Sequence, residues 1–228
     1  MSKKIDQYKD RLLNGEKMTI NDYESDINDF LDDLDNKGFL TKSFSKPQSE
    51  RLQKLVSSSN APANLFNALN KVFDGNVTQI RSNVAKLKSV GFDIGPQQYG
   101  SVMCHNYQVI SERLKLHLVT IIDFDKNGLT NAHSKPLGSI IRKLKSEFPQ
   151  NKFVDYMDTK IRNAVTHYTY FFDNGNIILC NGYFDDNPTV MPLVDFMMES
   201  KKLNILTEAL FIIYLDKYFP GGNLSLNI

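Results

Sequence analysis

Cysteine, tryptophan and long apolar runs are scarce or absent in this sequence. Its 228 residues include no tryptophan and two cysteines, Cys104 and Cys180, which stand far apart and outside any CxxC or Cys/His pattern. This argues against a disulfide framework and against a structural zinc site. The closest approach to a membrane span, residues 203–215, contains three polar residues, whereas a span needs roughly 18 uninterrupted apolar residues. We therefore expect no membrane partner.

An excess of charge of one sign is also missing. Lysine and arginine number 27 against 26 aspartates and glutamates, which gives a formal net charge of +1. The molecule as a whole is therefore not an electrostatic nucleic-acid binder, and any such role requires a local basic patch. The first fifteen residues are too charged to contain the apolar core of a secretory signal. Without a secretory signal or a membrane span, we expect a cytoplasmic protein. Since no phosphate loop, nucleophile elbow or metal-ligand pattern is recognisable, we expect no cofactor or metal.

The first half of the chain contains an acidic helical segment. Residues 19–36 have apolar side chains at helical spacing, with Thr19 placed to cap the helix and Gly38 placed to end it. The other face is acidic, and residues 19–36 contain no lysine or arginine. Its seven acids are Asp22, Glu24, Asp26, Asp29, Asp32, Asp33 and Asp35. Such a face is a candidate docking surface for a protein partner or for basic residues of the same chain, and it is equally typical of a solvated helix.

Glycine and proline divide the chain after three shorter helical patterns. The segment 91–100, GFDIGPQQYG, carries three glycines and a proline, which is typical of a boundary. We therefore predict an N-terminal helical region of unknown role, residues 1–95, and a second domain, residues 96–228. The shorter helical patterns lie in residues 47–57, 63–73 and 78–90.

Longer patterns follow in the second domain. Apolar residues recur every three to four positions over residues 99–121, which predicts one long amphipathic helix, and two more helices follow at 134–148 and 151–167. Asn174-Gly175 between two β-rich arms is a strong signal for a two-residue hairpin turn. After Pro188 the helical spacing returns. The predicted fold class is mainly α: a helical bundle with one short β-hairpin, plus the N-terminal helical region.

The predicted helix over residues 151–167 carries a polar face that its own core contacts do not explain. At 100° per residue, Arg162, Asn163, Thr166 and His167 share one side. The opposite side is the predicted core stripe, which consists of Val154, Met157, Ile161, Ala164, Val165 and Tyr168. The polar side therefore either faces water or lines a cleft that something else closes.

The string Arg-Asn-x-x-x-His at a helix end, followed by a hairpin and a long C-terminal helix, resembles the HEPN family. The resemblance rests on IRNAVTHYTYFFDNGNIILC, residues 161–180, and covers roughly residues 96–228. It implies a helical bundle that forms a homodimer through the motif-bearing helix, so that two motifs face one cleft. Many members are metal-independent endoribonucleases. Others are inactive modules that bind RNA, a nucleotide or a protein partner.

Cleavage of single-stranded RNA without a metal suits these residue types. The ribose 2′-OH is the internal nucleophile, and histidine is the residue type suited to moving protons near neutral pH, which makes His167 the candidate acid–base group. Arg162 offers a planar fork of donors to a phosphate. Asn163 lies four residues before His167 and is placed to orient its ring. One histidine does not easily serve as both base and acid, and a second copy across a dimer cleft relieves that difficulty.

Two weaker features can each be explained without a functional role. Residues 123–128, DFDKNG, match the first six positions of a calcium-binding loop, but Ser134 stands where a bidentate glutamate belongs, and turn chemistry explains the same residues. Between Lys135 and Arg162 there are seven basic residues against three acids, which is either an RNA footprint or a solvated face. The candidates for RNA binding are Lys135, Arg142, Lys143, Lys145 and Lys160.

Three functions are compatible with these patterns. The first is a HEPN-type endoribonuclease, such as a toxin or defence effector, and the second is an inactive HEPN-like binding module. The third is a structural helical adaptor in which Arg162 and His167 are surface residues. A motif face that is open to solvent on a single chain favours the third. A two-fold partner that brings two copies of His167 together favours the first two.

Overall fold

Two compact units make up the chain, and the motif lies in one of them. The computed structural model describes residues 20–45, 47–48, 50, 82, 85–86, 88–91, 96–125, 131–182 and 185–219. One unit, called the motif unit below, consists of Thr19–Thr41 and Pro96–Tyr214. The other consists of Met1–Met18, Lys42–Gly95 and Leu215–Ile228. The acidic segment therefore belongs to the motif unit, whereas its sequence position places it in the region 1–95.

Helices dominate the described residues, as predicted. They are α1 (Glu24–Asn36), α2 (Pro96–Ile121), α3 (Leu137–Glu147), α4 (Lys152–Asp155), α5 (Thr159–Thr166) and α6 (Leu193–Tyr218). Single 3-10 turns lie at Ile20–Asp22 and Ala132–Ser134. Three short strands, β1 (Tyr170–Asp173), β2 (Asn176–Leu179) and β3 (Thr189–Pro192), form an antiparallel sheet in the order β1-β2-β3. Over the described ranges, no helix is long and apolar enough to cross a membrane.

Only parts of the first-half helices can be compared with their predictions. Within the segments 47–57 and 78–90, residues 47–48, 50, 82, 85–86 and 88–89 are described, and these are helical. The segment 63–73 lies outside the described residues, and so does the proposed cap Thr19. Gly38 ends α1 as predicted, with φ of 69°, a conformation that glycine adopts without strain.

The predicted hairpin is confirmed at Asn174-Gly175. Both residues have positive φ, 45° and 77°, as the two-residue turn requires. Asp173 pairs with Asn176 across it.

The helix predicted to start after Pro188 is wrong at its beginning. Residues Thr189–Pro192 form β3, in which Met191 pairs with Ile177, and α6 begins only at Leu193. The hairpin is therefore part of a three-stranded sheet. Thr189 and Val190 are β-branched and suit an edge strand, and Pro192, which lacks an N–H, stands at the end of that edge.

The long second helix, α2, supplies the centre of the core. The described members of its predicted apolar stripe are buried, namely Met103, Tyr107, Ile110, Leu114, Leu118 and Ile121. Polar side chains join α2 to α6 as well. Asn106 Nδ2 donates to Ser200 Oγ at 3.0 Å, and Arg113 Nη1 lies 2.6 Å from Glu208 Oε1.

The acidic helix α1 is part of the same core. Phe30 is fully buried, stacks on Phe153 with ring centroids 4.7 Å apart, and meets the edge of Phe148. Each such buried side chain contributes about 1.5–3 kcal/mol to the free energy of folding. The other fully buried side chains around α1 are Tyr23, Ile27, Leu31 and Leu34. A protein partner for α1 would therefore meet its acidic face, since the apolar face is buried in the motif unit.

One of the seven acids is not on that exposed face. Asp26 is buried, accepts a hydrogen bond from the Tyr156 hydroxyl, and lies 3.6 Å from Lys152 Nζ. Asp33 accepts from Asn151 Nδ2 at 2.9 Å. Through Lys152, these contacts join the acidic helix to the inner part of the predicted basic run.

The single helix predicted over residues 151–167 is wrong, because the segment forms two helices, α4 and α5. Asp158 separates them. Its carboxylate accepts from the amides of Lys160 at 2.6 Å and Ile161 at 3.3 Å, which is the N-cap arrangement that begins a new helix. The helix predicted over residues 134–148 is present as α3, which begins at Leu137, while Ser134 lies in the preceding 3-10 turn.

A buried histidine at the α2–α6 contact makes stability depend on pH. His117 Nδ1 donates to the Thr207 carbonyl at 3.0 Å, and the ring stacks on Phe211. Burial lowers the pKa of His117 from 6.5 to about 4, although the Thr207 carbonyl raises it; the charge of Arg113 lowers it further. Below pH 6.5, His117 binds a proton in the unfolded chain, whereas in the folded chain it stays neutral until the pH approaches 4. Stability is therefore lost between pH 6.5 and 4, by about 3 kcal/mol in total.

Urea unfolding at pH 7, 5.5 and 4.5 measures this loss. A His117→Asn variant is the control, because its amide nitrogen can still donate toward Thr207 but does not titrate. The difference between the two proteins should grow in favour of the variant as the pH falls. A constant difference over this range would show that His117 is not the responsible group.

Candidate functional site

A partly open cleft of about 730 Å³ lies beside the motif helix α5. Three parts of the motif unit line it: the beginning of α3, the polar side of α5 and the chain that follows β2. The lining residues are Pro136, Gly138, Ser139, Arg142, Thr159, Arg162, Asn163, His167, Thr169, Cys180, Asn181 and Gly182. This set contains two arginines and no carboxylate, so the cleft suits an anion.

The three candidate residues of the motif lie in this one cleft. Arg162, Asn163 and His167 all line it, as their shared helix face predicts. The cleft that the polar face was expected to line has walls from the same chain. The beginning of α3 and residues 180–182 of the same chain cover it, because α3 packs across α5.

Arg162 is held in the wall of the cleft with incomplete pairing. It is 8% exposed, although the helical wheel placed it opposite the core. Its Nη1 donates to Asn163 Oδ1 at 3.2 Å, and its Nη2 lies 3.7 Å from Glu112 Oε1 on α2. Its Nε is buried and has no hydrogen-bond partner within the described part of the chain. A buried guanidinium with a free donor is costly unless an anion completes its pairing.

Asn163 orients Arg162 and not, as expected, the ring of His167. Its side-chain oxygen is the acceptor for Arg162 Nη1, while its backbone oxygen accepts from the amide of His167 at 3.0 Å. The amide side chain therefore fixes one arm of the guanidinium fork toward the cleft wall.

His167 lies where α5 ends, and the chain there forms a Schellman turn. The amide of Thr169 donates to the Ala164 carbonyl at 2.9 Å, and the amide of Tyr168 donates to the Val165 carbonyl at 3.4 Å. These two bonds are the pair that defines such a turn. His167 is the helix's C-cap residue and is exposed to solvent, so its ring is open to a ligand in the cleft.

The Schellman turn also explains why Tyr168 is not in the core. Its predicted place in the apolar stripe is wrong, since it is 69% exposed. It follows the last helical residue and has φ of 55°, the left-handed conformation that this position of the turn requires. In a residue other than glycine that conformation costs about 1–2 kcal/mol. The other five members of the stripe are buried as predicted.

Hydrogen bonds of Thr169 join the end of α5 to the chain after β2. Its backbone oxygen accepts from the amide of Cys180 at 2.8 Å, and its hydroxyl donates to the Cys180 carbonyl at 2.8 Å. The chain after β2 is thereby held beside the end of α5. Cys180, Asn181 and Gly182 become part of the cleft wall for this reason.

One of the five predicted RNA-binding residues lines the cleft. This is Arg142, while Lys143 pairs with Glu147 at 2.8 Å. Lys135, Lys145 and Lys160 are exposed and are not among the lining residues described.

Sequence patterns missed most of the cleft wall. Residues 136–139 begin α3, and the Lys-Pro-Leu-Gly string before an apolar run is a recognisable helix start. Residues 180–182 carry no comparable signal, because only the hydrogen bonds of Thr169 bring them to α5. Glu112 could not be paired with Arg162 from spacing alone.

The possible calcium loop can be followed only in part. Residues 126–130 lie outside the described residues, and Asp123–Asp125 alone do not test it. Across the described positions, no group of three or more His, Cys, Asp or Glu side chains could hold a metal ion.

Comparisons of the chain with known protein families, with curated proteins and with solved structures found no significant match.

The pairing of Arg162 predicts that it contributes little to stability. Replacing it with methionine removes one hydrogen bond and one long ion pair, but also removes the buried Nε donor. We expect Arg162→Met to keep the free energy of unfolding within about 1 kcal/mol of the wild type. Arg113→Met is the matched control, since Arg113 Nε is likewise buried without a partner in the described chain, but its ion pair with the partly buried Glu208 is short, at 2.6 Å. Its loss should cost about 2 kcal/mol. Urea unfolding measures both. A loss of about 3 kcal/mol for Arg162→Met would make Arg162 a structural residue.

Proposed function

We propose that the protein is a metal-independent endoribonuclease of HEPN type that cleaves single-stranded RNA. The observation that carries the proposal is the meeting of Arg162, Asn163 and His167 in a single cleft that two arginines line. A buried arginine and a solvent-open histidine in the same cleft bring together a phosphate-binding group and a proton-transfer group, which suits phosphodiester cleavage.

The proposed reaction is a transesterification within the substrate. The ribose 2′-oxygen attacks the adjacent phosphorus while the bond from phosphorus to the 5′-oxygen breaks. One proton leaves the 2′-OH and one is delivered to the departing 5′-oxygen, so the products are a 2′,3′-cyclic phosphate and a 5′-OH. Arg162 would hold the non-bridging oxygens as negative charge builds on them. His167 would accept or deliver one of the two protons.

Cleavage of a labelled single-stranded RNA in excess EDTA tests the proposal. Activity should persist in the chelator, leave cyclic phosphate ends and spare DNA of the same sequence, because DNA lacks the 2′-OH. His167→Ala should lower kcat by about 10²–10⁴-fold. His133→Ala is the control, since His133 is exposed and lies outside the lining of the cleft. Loss of activity in EDTA with rescue by a divalent ion would overturn the mechanism.

A second candidate is an inactive HEPN-like module that binds RNA, a nucleotide or a protein partner. The observation that favours it is the single histidine among the described lining residues, since the reaction needs two proton transfers. Under this alternative, oligonucleotide binding depends on Arg162 while purified protein leaves the RNA intact at every concentration.

A homodimer through α5 would supply the second histidine, and we include it in the proposal. The two-fold axis would pass near Asn163 and Thr166, so that both His167 rings face one cleft. Mixing inactive His167→Ala and Arg162→Ala chains should then restore partial activity if each site takes its two residues from different subunits. Light scattering at micromolar concentration gives the assembly state. A fully active monomer would exclude both the shared site and the dimer.

A further inference from the structure

The first turn of α3 opens onto the cleft and presents its positive end there. Pro136, Gly138 and Ser139 line the cleft, and the helix that they begin is 11 residues long. The amides of Ser139 and Ile140 donate to the Pro136 carbonyl. The amide of Gly138 precedes them, in the part of a helix that has no intrahelical acceptor. Partial positive charge at such an end favours an anion.

A second observation, independent of the helix, points to the same ligand charge. Arg162 is about nine-tenths buried, lines this cleft, and has a buried Nε without a partner in the described chain. Arg142 lies on the α3 side, with only long contacts of 3.4 Å and 3.5 Å to Gly138 O and Ser139 Oγ. Its guanidinium is therefore available to a ligand. Two arginines and a helix end surround more volume than one phosphate fills.

Gly138 leaves the helix end uncovered. A Cβ built at this position points toward the motif helix and meets Asn163 Oδ1 at 3.8 Å, an ordinary contact. A Cβ at residue 138 would therefore fit without a clash, on the side of α3 that lines the cleft.

We propose that the beginning of α3 is a second phosphate subsite, in which the Gly138 amide and Arg142 bind a phosphate of a polynucleotide neighbouring the one held by Arg162. The inference rests on the proposed function in taking a polynucleotide as the ligand. It adds that the strand crosses the cleft from α5 to α3, and that two phosphates and not one are recognised.

Gly138→Asp and Gly138→Asn test the subsite. The aspartate suits the first turn of a helix, so the fold is retained while its charge repels a phosphate. The asparagine has the same shape and no charge. We expect Gly138→Asp to weaken binding of a short, uncleavable 2′-O-methyl RNA by about tenfold or more, and Gly138→Asn by less than about threefold. Fluorescence anisotropy measures the affinity, and thermal midpoints confirm folding.

Arg142→Gln is a second variant, with Lys145→Gln as its matched control on the same helix. Lys145 is exposed and outside the lining described. Arg142→Gln should reduce the slope of log affinity against log salt by about 0.7, the value for one phosphate contact on a single strand, and Lys145→Gln should not. Equal weakening by Gly138→Asp and Gly138→Asn would show a steric effect and overturn the subsite, as would unchanged binding in both.

Inorganic phosphate separates a polynucleotide from a small ligand. If phosphate raises the thermal midpoint saturably in a Gly138-dependent way but the oligomer's affinity does not depend on Gly138, the polynucleotide subsite is wrong. If the oligomer binds as expected and is never cleaved as RNA, the subsite stands and the nuclease proposal fails. If RNA is cleaved with the same KM in Gly138→Asp, the nuclease proposal stands and the subsite fails.

Discussion

The hydrogen bonds of Thr169 are the constraint on which the candidate site depends. This residue closes the Schellman turn that ends α5 through its amide, and it joins the chain after β2 through its carbonyl and its hydroxyl. The first contact stops the helix at His167 and the second brings residues 180–182 beside it. If either were lost, the polar side of α5 would lose one wall, and the histidine would no longer have a fixed place at the edge of a cleft.

The burial of the Arg162 guanidinium costs free energy that its few polar contacts do not offset. A guanidinium that is nearly buried normally has all its donors paired. Here Nη1 donates to Asn163, Nη2 lies 3.7 Å from the half-exposed Glu112, and Nε has no hydrogen-bond partner in the described chain. Tyr168 adds a left-handed backbone to the same few residues. An incompletely paired arginine that lines a cleft is typical of a residue kept for a ligand, although Arg113, outside the described lining, also has a buried Nε without a partner in the described chain. The burial of Arg162 argues against the structural adaptor, whereas His167 is exposed as that alternative expects.

The sequence predicted the elements whose signals are local and missed what tertiary contacts decide. The long α2 and its buried stripe follow from apolar spacing, and the hairpin follows from Asn174-Gly175. The break at Asp158 was missed because an aspartate inside a helical pattern caps a new helix only if the chain bends there. β3 was missed because Val190 and Leu193 are spaced as in a helical stripe, although Val190 also suits an edge strand. The burial of Arg162 depends on the helices that pack against α5, α2 and α3, which a wheel drawn for one helix does not contain.

The walls of the cleft change the argument for a second copy of the chain. A partner is not needed to form a wall beside α5, because the beginning of α3 and the chain after β2 already line one side of the cleft. What a partner would still supply is a second proton-transfer group, since the described lining contains one histidine and the reaction moves two protons. A dimer would therefore serve the chemistry of the proposed cleavage, whereas the shape of the site does not call for one. A binding module without catalysis needs no dimer, and for it the single chain already has the buried arginine, the open helix end and the carboxylate-free lining that a phosphate chain requires.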